Sequence, residues 1–155
     1  MSDDTGSAGV RVGRVFCARA LGSADLARLV RQLAGARREA GRAILCWLLV
    51  DPSADVPSAE ERAALGRATS GLLGYCEALT LIISGNGLQT SLLRSALRSI
   101  VTQGGHTLRV RIVDDLEAAF RCAVEPGATL AELEQQARRR GILRSLSSNP
   151  PQPEP

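Results

Sequence analysis

The 155-residue sequence contains no lysine, and all 19 of its basic residues are arginine. A phosphate-binding P-loop needs its lysine, and Schiff-base chemistry needs an amine that can lose its proton, which an arginine guanidinium does not do. The sequence therefore excludes both of these chemistries. Because the missing lysine accompanies abundant Ala, Arg, Gly and Leu, as in a GC-rich genome, the arginine bias alone says little about function.

Histidine and cysteine are also scarce. The only histidine is His106, and the four cysteines, Cys17, Cys46, Cys76 and Cys122, include no Cys-x-x-Cys pair. This spacing is not that of a metal site, and no Gly-x-Ser-x-Gly nucleophile motif is present. We therefore expect free, buried thiols, a solvent-facing loop histidine, no metal, no cofactor and no catalytic apparatus.

Aromatic residues make up 3% of the chain, and the formal net charge is only +3. Binders of single-stranded nucleic acid need aromatic stacking platforms, and nucleic-acid binding in general needs a strong positive field. No nucleic-acid partner is expected. The longest apolar run, residues 43–50, is too short to cross a bilayer, and no secretory pattern opens the chain. These features predict a cytoplasmic protein without a membrane span.

Between two polar ends, at residues 1–9 and 145–155, strand patterns alternate with helix patterns. We expect both ends to be disordered tails. Two continuously apolar segments, typical of buried strands, lie at 43–50 and 78–84, and two alternating segments, typical of outer strands, lie at 10–20 and 108–113. Residues 10–20 are predicted to be a strand or a hairpin exposed on one side.

Five helices are predicted between and after these strands. Two capping boxes mark helix starts, one at Ser58 with Glu61 and one at Thr129 with Glu132. The other helices are predicted to begin near Ser23, at Leu88 and at Asp114 or Asp115. The sequence thus predicts an α/β fold over 10–124, with one small, mixed, mostly parallel sheet of four to five strands flanked by helices, followed by an amphipathic helix in 125–144.

The order of these elements resembles the STAS domain, the fold of anti-sigma-factor antagonists, over residues 10–124. Three phrases carry the resemblance: VFCARALG at the opening strand, GRAILCWLLVD at a strand that ends in Asp, and VRIVDDLEAAF, in which a strand leads into a short helix with an acidic start. The resemblance implies a signalling protein with a phosphorylatable residue at the start of its second helix. Ser58 occupies that position, and its capping role is the competing interpretation.

One segment is a candidate binding site. Residues 78–113 contain no acid, and Gly85-Asn86-Gly87 lies between a buried strand and a helix, where backbone N–H groups can meet an anion or simply form a turn. Arg94 and Arg98 share a helical face and need partners, which are either acids from another helix or an acidic surface on another protein.

The leading functional hypothesis is a non-catalytic regulatory or scaffolding domain that acts through protein–protein interaction. The alternative is a binding module for an anionic small molecule, a nucleotide or a lipid headgroup. Self-association into a homo-oligomer is a separate expectation, because the outer strands alternate and the third helix is strongly apolar.

Overall fold

The computed structural model describes residues 9–20, 26–52, 54–123 and 125–142. The predicted tails, apart from Gly9, and the predicted helix cap Ser23 lie outside the described residues, as does Val124. The strands are β1 Val10–Val12, β2 Val15–Ala20, β3 Leu45–Val50, β4 Ala78–Ile83 and β5 Val110–Val113. The helices are α1 Leu26–Ala40, α2 Ala59–Leu73, α3 Leu88–Gln103, α4 Leu116–Cys122 and α5 Leu130–Arg139.

The strands form one sheet in the order β1-β2-β3-β4-β5. β1 and β2 are an antiparallel hairpin, and the pairs β2–β3, β3–β4 and β4–β5 are parallel. This arrangement confirms the predicted α/β class and the mixed, mostly parallel sheet. It also confirms the hairpin at residues 10–20 and the edge position of β5.

The strand order determines which face each helix covers. From β2 to β5 the sheet grows in one direction, and crossovers between parallel strands are right-handed, so α1, α2 and α3 lie on the same face. One core cluster accordingly contains Leu33 of α1, Leu72 of α2 and Val101 of α3. The opposite face is left to α4 and α5, whose Leu116 and Leu133 belong to a second cluster.

The expectation that residues 10–20 are exposed on one side is wrong for β2. Val15 to Ala18 are at most 3% exposed, so both faces of the strand are buried. The physical reason is that β1 and β3 pair with its two edges while residues of α1 and α5 pack in the clusters on its two faces. Only β1 and β5 are edge strands.

An ion pair between a buried arginine and an exposed glutamate, together with a tight turn, holds the hairpin against the rest of the sheet. Arg14, only 7% exposed, pairs with Glu77, and its backbone N–H donates to the Pro126 carbonyl at 2.9 Å. The neighbouring Gly13 has φ +61°, and a Cβ there would lie 2.4 Å from the Gly127 carbonyl oxygen. Glycine at position 13 is therefore required both by conformation and by space.

The C-terminal helix α5 is part of the second core. Leu133 and Ala137 are fully buried and cluster with Val10 of β1 and with Trp47 of β3. Trp47, which belongs to the apolar segment predicted as a buried strand, packs edge-to-face on Phe120 with ring centroids 4.8 Å apart. Thr129 and Glu132 form the predicted capping box that begins the helix.

Local signals predicted several element bounds closely. α3 begins at the predicted Leu88 and ends at Gln103, and the predicted Ser58–Glu61 capping box begins α2. The apolar strands are shorter than predicted, and β5 begins at Val110 because residues 106–109 form a turn closed by hydrogen bonds onto the His106 carbonyl. α2 ends at Leu73, and Cys76 lies in the segment that leads to β4.

The packing of α5 generates a stability prediction. Replacing Leu133 by Ala removes a fully buried side chain, and we expect the free energy of unfolding to fall by about 2–5 kcal/mol. Urea denaturation followed by circular dichroism measures it. Gln135→Ala, at an exposed position of the same helix, is the matched control and should change it by less than about 0.5 kcal/mol. Equal, small effects would show that α5 is not part of the core.

Candidate functional site

The candidate site lies at the carboxyl ends of β4 and β5, where the chain leaves two neighbouring strands in opposite directions. After β4 it enters α3 on one face of the sheet, and after β5 it enters α4 on the other. In open α/β sheets, diverging connections of this kind form a crevice that commonly takes a ligand. The loops at this crevice are residues 84–87 and 114–115.

The predicted glycine loop is exposed and leads directly into α3. Gly85 and Gly87 have φ values of +115° and +146°, which only glycine adopts without strain. Gly87 is the N-cap of α3 and gives it no side-chain hydrogen bond. Thr90, in the first turn, is 6% exposed. Gly85, Asn86 and Gly87 thus form a solvent-exposed turn directly before the first residue of α3.

Arg94 occupies the crevice. One of its terminal nitrogens donates to the Ile83 carbonyl at 2.7 Å and to the Gly85 carbonyl at 3.2 Å, and lies 3.0 Å from Asp114 Oδ1. Ser84 Oγ also donates to the Asp114 carbonyl at 3.0 Å, which joins the two loops. The guanidinium thus holds the ends of β4 and β5 together and already has a counter-ion.

The arginines of the acid-free segment mostly bind backbone carbonyls. Arg109 donates to the carbonyls of Leu73, at 2.6 Å, and Cys76, at 2.8 Å, near the end of α2, and Arg111 to that of Cys122, at 3.4 Å, at the end of α4. Cations suit helix C-termini, where carbonyls lack intrahelical partners. The partners of these arginines are thus largely carbonyl oxygens, an option that sequence reasoning did not consider.

Arg98 is separated from Arg94 by the geometry of α3. The Arg94 side chain is 19% exposed and faces the sheet edge, whereas Arg98 is exposed. Among the residues that the structure describes, Arg98 has no hydrogen bond or ion pair. The two predicted site arginines therefore do not form one patch, and Arg98 alone presents its charge outward.

The outer face of α3 carries leucine and serine beside this charge. Leu88 is 78% exposed and Leu92 is 48% exposed. The exposed Ser91 and Ser95 lie between them and Arg98. We call these five residues the α3 surface. The third helix was predicted to be strongly apolar, but no leucine of it was predicted to face outward, although the i, i+4 spacing of Leu88 and Leu92 is visible in the sequence.

Ser58 acts as a helix cap. Its Oγ accepts a hydrogen bond from the Glu61 N–H at 3.2 Å, and the Glu61 carboxylate accepts one from the Ser58 N–H at 3.3 Å. The side chain is also exposed, beside the first-turn Glu60. A phosphate there would lie close to two carboxylates.

His106 lies in a loop, as predicted, but the expectation that it faces solvent is wrong, because the residue is partly buried. Its Nε2 lies 3.0 Å from Ser70 Oγ on α2. The two residues are far apart in sequence, and no local motif links them. Ser70 also donates to the Gly66 carbonyl at 3.2 Å, and within the described residues no carboxylate pairs with His106. The contact therefore lacks the third group that orients the base in a catalytic triad.

The cysteines match their prediction in three cases. Cys17, Cys46 and Cys76 are buried free thiols, whereas Cys122 is exposed at the end of α4, so the prediction was wrong there. Over the described ranges no group of three His, Cys, Asp or Glu side chains is arranged to hold a metal ion. None of the helices described is both long and apolar enough to cross a membrane.

No family model, curated protein or solved structure matches this chain. The sheet order and the strand directions themselves establish an α/β architecture with a mixed five-stranded sheet.

The carbonyl contacts of Arg94 generate a second stability prediction. Arg94→Met keeps much of the aliphatic stem but leaves two carbonyls and Asp114 without their donor, so we expect unfolding free energy to fall by about 1–3 kcal/mol. Arg98→Met on the same helix is the control, and should change it by less than about 0.5 kcal/mol. Urea denaturation measures both. An effect confined to Arg98→Met would contradict the assignment of Arg94 as the residue that joins the strand ends.

Proposed function

We propose that this chain is a non-catalytic regulatory or scaffolding module of the cytoplasm, built on a STAS-like scaffold, which binds another protein through the α3 surface. The observation that carries the proposal is the pair of exposed leucines, Leu88 and Leu92, on consecutive turns of one helix. Single exposed leucines are ordinary, but a grouped apolar face with little charge is typical of a protein interface.

The apolar character extends beyond the helix. Gln89 Nε2 donates to the Ala54 carbonyl at 3.0 Å, which holds the loop before α2 against the start of α3. That loop carries Val56, which is 40% exposed. Because both segments are held by a hydrogen bond, the surface is preorganised, and less conformational entropy is lost when a partner binds.

The charge of the surface indicates the chemistry of its partner. Residues 78–113 contain no acid, and Arg98 has no counter-ion among the described residues. Arginine is enriched in binding hot spots because its guanidinium binds a carboxylate through two hydrogen bonds. We therefore propose a partner that presents apolar side chains with an Asp or Glu beside them.

Anion binding at the glycine loop is the weaker proposal. Its expected cation, Arg94, already binds two carbonyls and lies 3.0 Å from a carboxylate oxygen of Asp114. An incoming phosphate would therefore meet an acid before it met a free positive charge.

The STAS-like assignment rests on the three sequence phrases and agrees with the alternation of strands and helices. Each quoted phrase contains a strand of the sheet, and the acidic start of the last phrase supplies Asp115 as the N-cap of α4. Regulation by phosphorylation of Ser58 is a weaker part of the proposal, because the carboxylates of Glu60 and Glu61 would repel a phosphate on that side chain.

The test compares two exposed leucine sites. The tagged chain is incubated with a lysate of its native host, and retained proteins are quantified by mass spectrometry for wild type, Leu88→Asp/Leu92→Asp and Leu108→Asp. Leu108 is 94% exposed in the turn before β5, at the amino end of that strand and so at the other end of the sheet from the start of α3, and is the matched control. We expect one protein to be retained at least about tenfold less by the double variant, as loss of a few kcal/mol at a hot spot implies, and unchanged by Leu108→Asp.

Two results would contradict the proposal. The first is a set of retained proteins that is the same for all three chains, and the second is a retained protein lost only with Leu108→Asp. If the retained protein is this chain itself, sedimentation of the purified wild type should show a dimer that Leu88→Asp/Leu92→Asp abolishes, and the function is then self-association.

A further inference from the structure

We propose that the outer face of α1 docks on an anionic phospholipid membrane through its arginines. Residues 26–50 carry five arginines and only one acid, Glu39. Four of these arginines, which we call the α1 arginines, are exposed: Arg31, Arg37, Arg38 and Arg42. They are separate from the α3 surface, because α2 contacts both α1 and α3 and lies between them.

The protein itself neutralises little of this charge. Within the described ranges, no hydrogen bond or ion pair involves the side chains of Arg31, Arg37 and Arg38. Arg42 lies 3.5 Å from a carboxylate oxygen of Glu125, and both side chains are more than half exposed. Exposed ion pairs of this kind are weak, because water and salt screen them. The face therefore presents at least three positive charges without a counter-ion in the described chain.

Arg31 and Arg38 point directly away from the core. They are seven residues apart, close to two helical turns, so they share one side of α1 and lie about 10 Å apart along its axis. Leu33, on the opposite side, is fully buried. The residues between the two arginines on the outer side are Ala34 and Gly35, and a Cβ added at Gly35 would meet nothing within 4 Å. A flat surface can therefore reach both guanidiniums without meeting a bulky side chain between them.

α1 is embedded among its neighbours, which favours a flat partner. It packs against α2 on one side. On the other side the Gly9 N–H donates to Gln32 Oε1 at 3.3 Å, and Arg11 Nε lies 3.6 Å from a carboxylate oxygen of Glu39. The major groove of a nucleic-acid duplex is about as wide as a single helix, so these flanking elements would keep α1 out of it. A membrane surface requires no such entry.

The composition of this face indicates phosphate groups and not a second protein. In the described part of the chain, none of the strongly exposed large apolar side chains lies on α1, whereas protein interfaces have apolar and aromatic centres. A guanidinium donates two N–H groups to one phosphate. Clusters of about four to eight basic side chains are typical of segments that bind anionic lipid headgroups. Because α1 offers no apolar side chain for insertion, the contact is electrostatic and salt should release it.

A second run of arginines provides the matched control. Arg139 and Arg140 are exposed at the end of α5, on the opposite face of the sheet. Acids accompany the cations there, and Arg138 lies 4.0 Å from a carboxylate oxygen of Glu134. Replacing Arg139 and Arg140 changes the net charge as much as replacing two α1 arginines, but leaves α1 intact.

The experiment sediments the full chain with vesicles of phosphatidylcholine alone or of phosphatidylcholine mixed equally with phosphatidylglycerol. At about 0.1 M salt, where the Debye length is about 10 Å, we expect binding to the anionic vesicles only. Arg31→Gln/Arg38→Gln should lower the partition coefficient at least about tenfold, and Arg139→Gln/Arg140→Gln should stay within about threefold of wild type. At about 1 M salt, where the Debye length is about 3 Å, wild type should be released. Circular dichroism checks that both variants are folded.

Three vesicle results would overturn the proposal. They are no binding of wild type to anionic vesicles, equal loss of binding in the two double variants, and binding that persists at about 1 M salt, which would indicate apolar insertion elsewhere. Duplex DNA is tested in parallel as the competing polyanion. Retention of wild type by DNA that Arg31→Gln/Arg38→Gln abolishes, without binding to vesicles, would assign this face to nucleic acid and overturn the membrane proposal as well.

Discussion

Both faces of the central strands are buried, and the placement of the five helices depends on that burial. β2 and β3 are nearly sealed from water on both sides, and the inward residues of β4 are buried among the same two clusters. Sealing one face requires the three crossover helices, and sealing the other requires α4 and α5. Charged groups are expensive to bury without partners, and the arginines Arg94 and Arg109 lie beside the ends of the strands. We therefore expect a partner of the described part of the chain to meet the strand ends or the outer helix surfaces.

The chain contains no lysine, so its permanent positive charges are all arginines. At the ends of the strands, arginine side chains hold neighbouring segments together by hydrogen bonds. The planar guanidinium donates to several carbonyls at once, which a lysine ammonium does less well in a fixed geometry. Arg94 joins the carboxyl ends of β4 and β5, and Arg109 binds carbonyls between α2 and β4. These roles leave little free positive charge at the crevice. Arg98, on the outer face of α3, is the site arginine still able to meet a partner, and this difference is why protein binding is favoured over anion binding.

The parts of the fold that the sequence predicted well depend on nearby residues. Both capping boxes involve side chains three positions apart, and the start of α3 follows from the glycine turn at residues 85–87. The failures involve contacts between distant residues. The burial of β2 depends on which strands flank it, and the Ser70–His106 contact joins α2 to the loop after α3 without a shared motif. No local pattern encodes these contacts, so only the assembled sheet reveals them.

The central claim is that the outward leucines of α3, and not the exposed leucine in the turn before β5, meet another protein. Site-specific photo-cross-linking tests it most directly: a benzophenone side chain is incorporated at position 92 in one protein and at position 108 in another, and each is irradiated in the native host. The account predicts a single discrete cross-linked product from position 92 and none of that mass from position 108. The same product from both positions, or a product from position 108 alone, would contradict it.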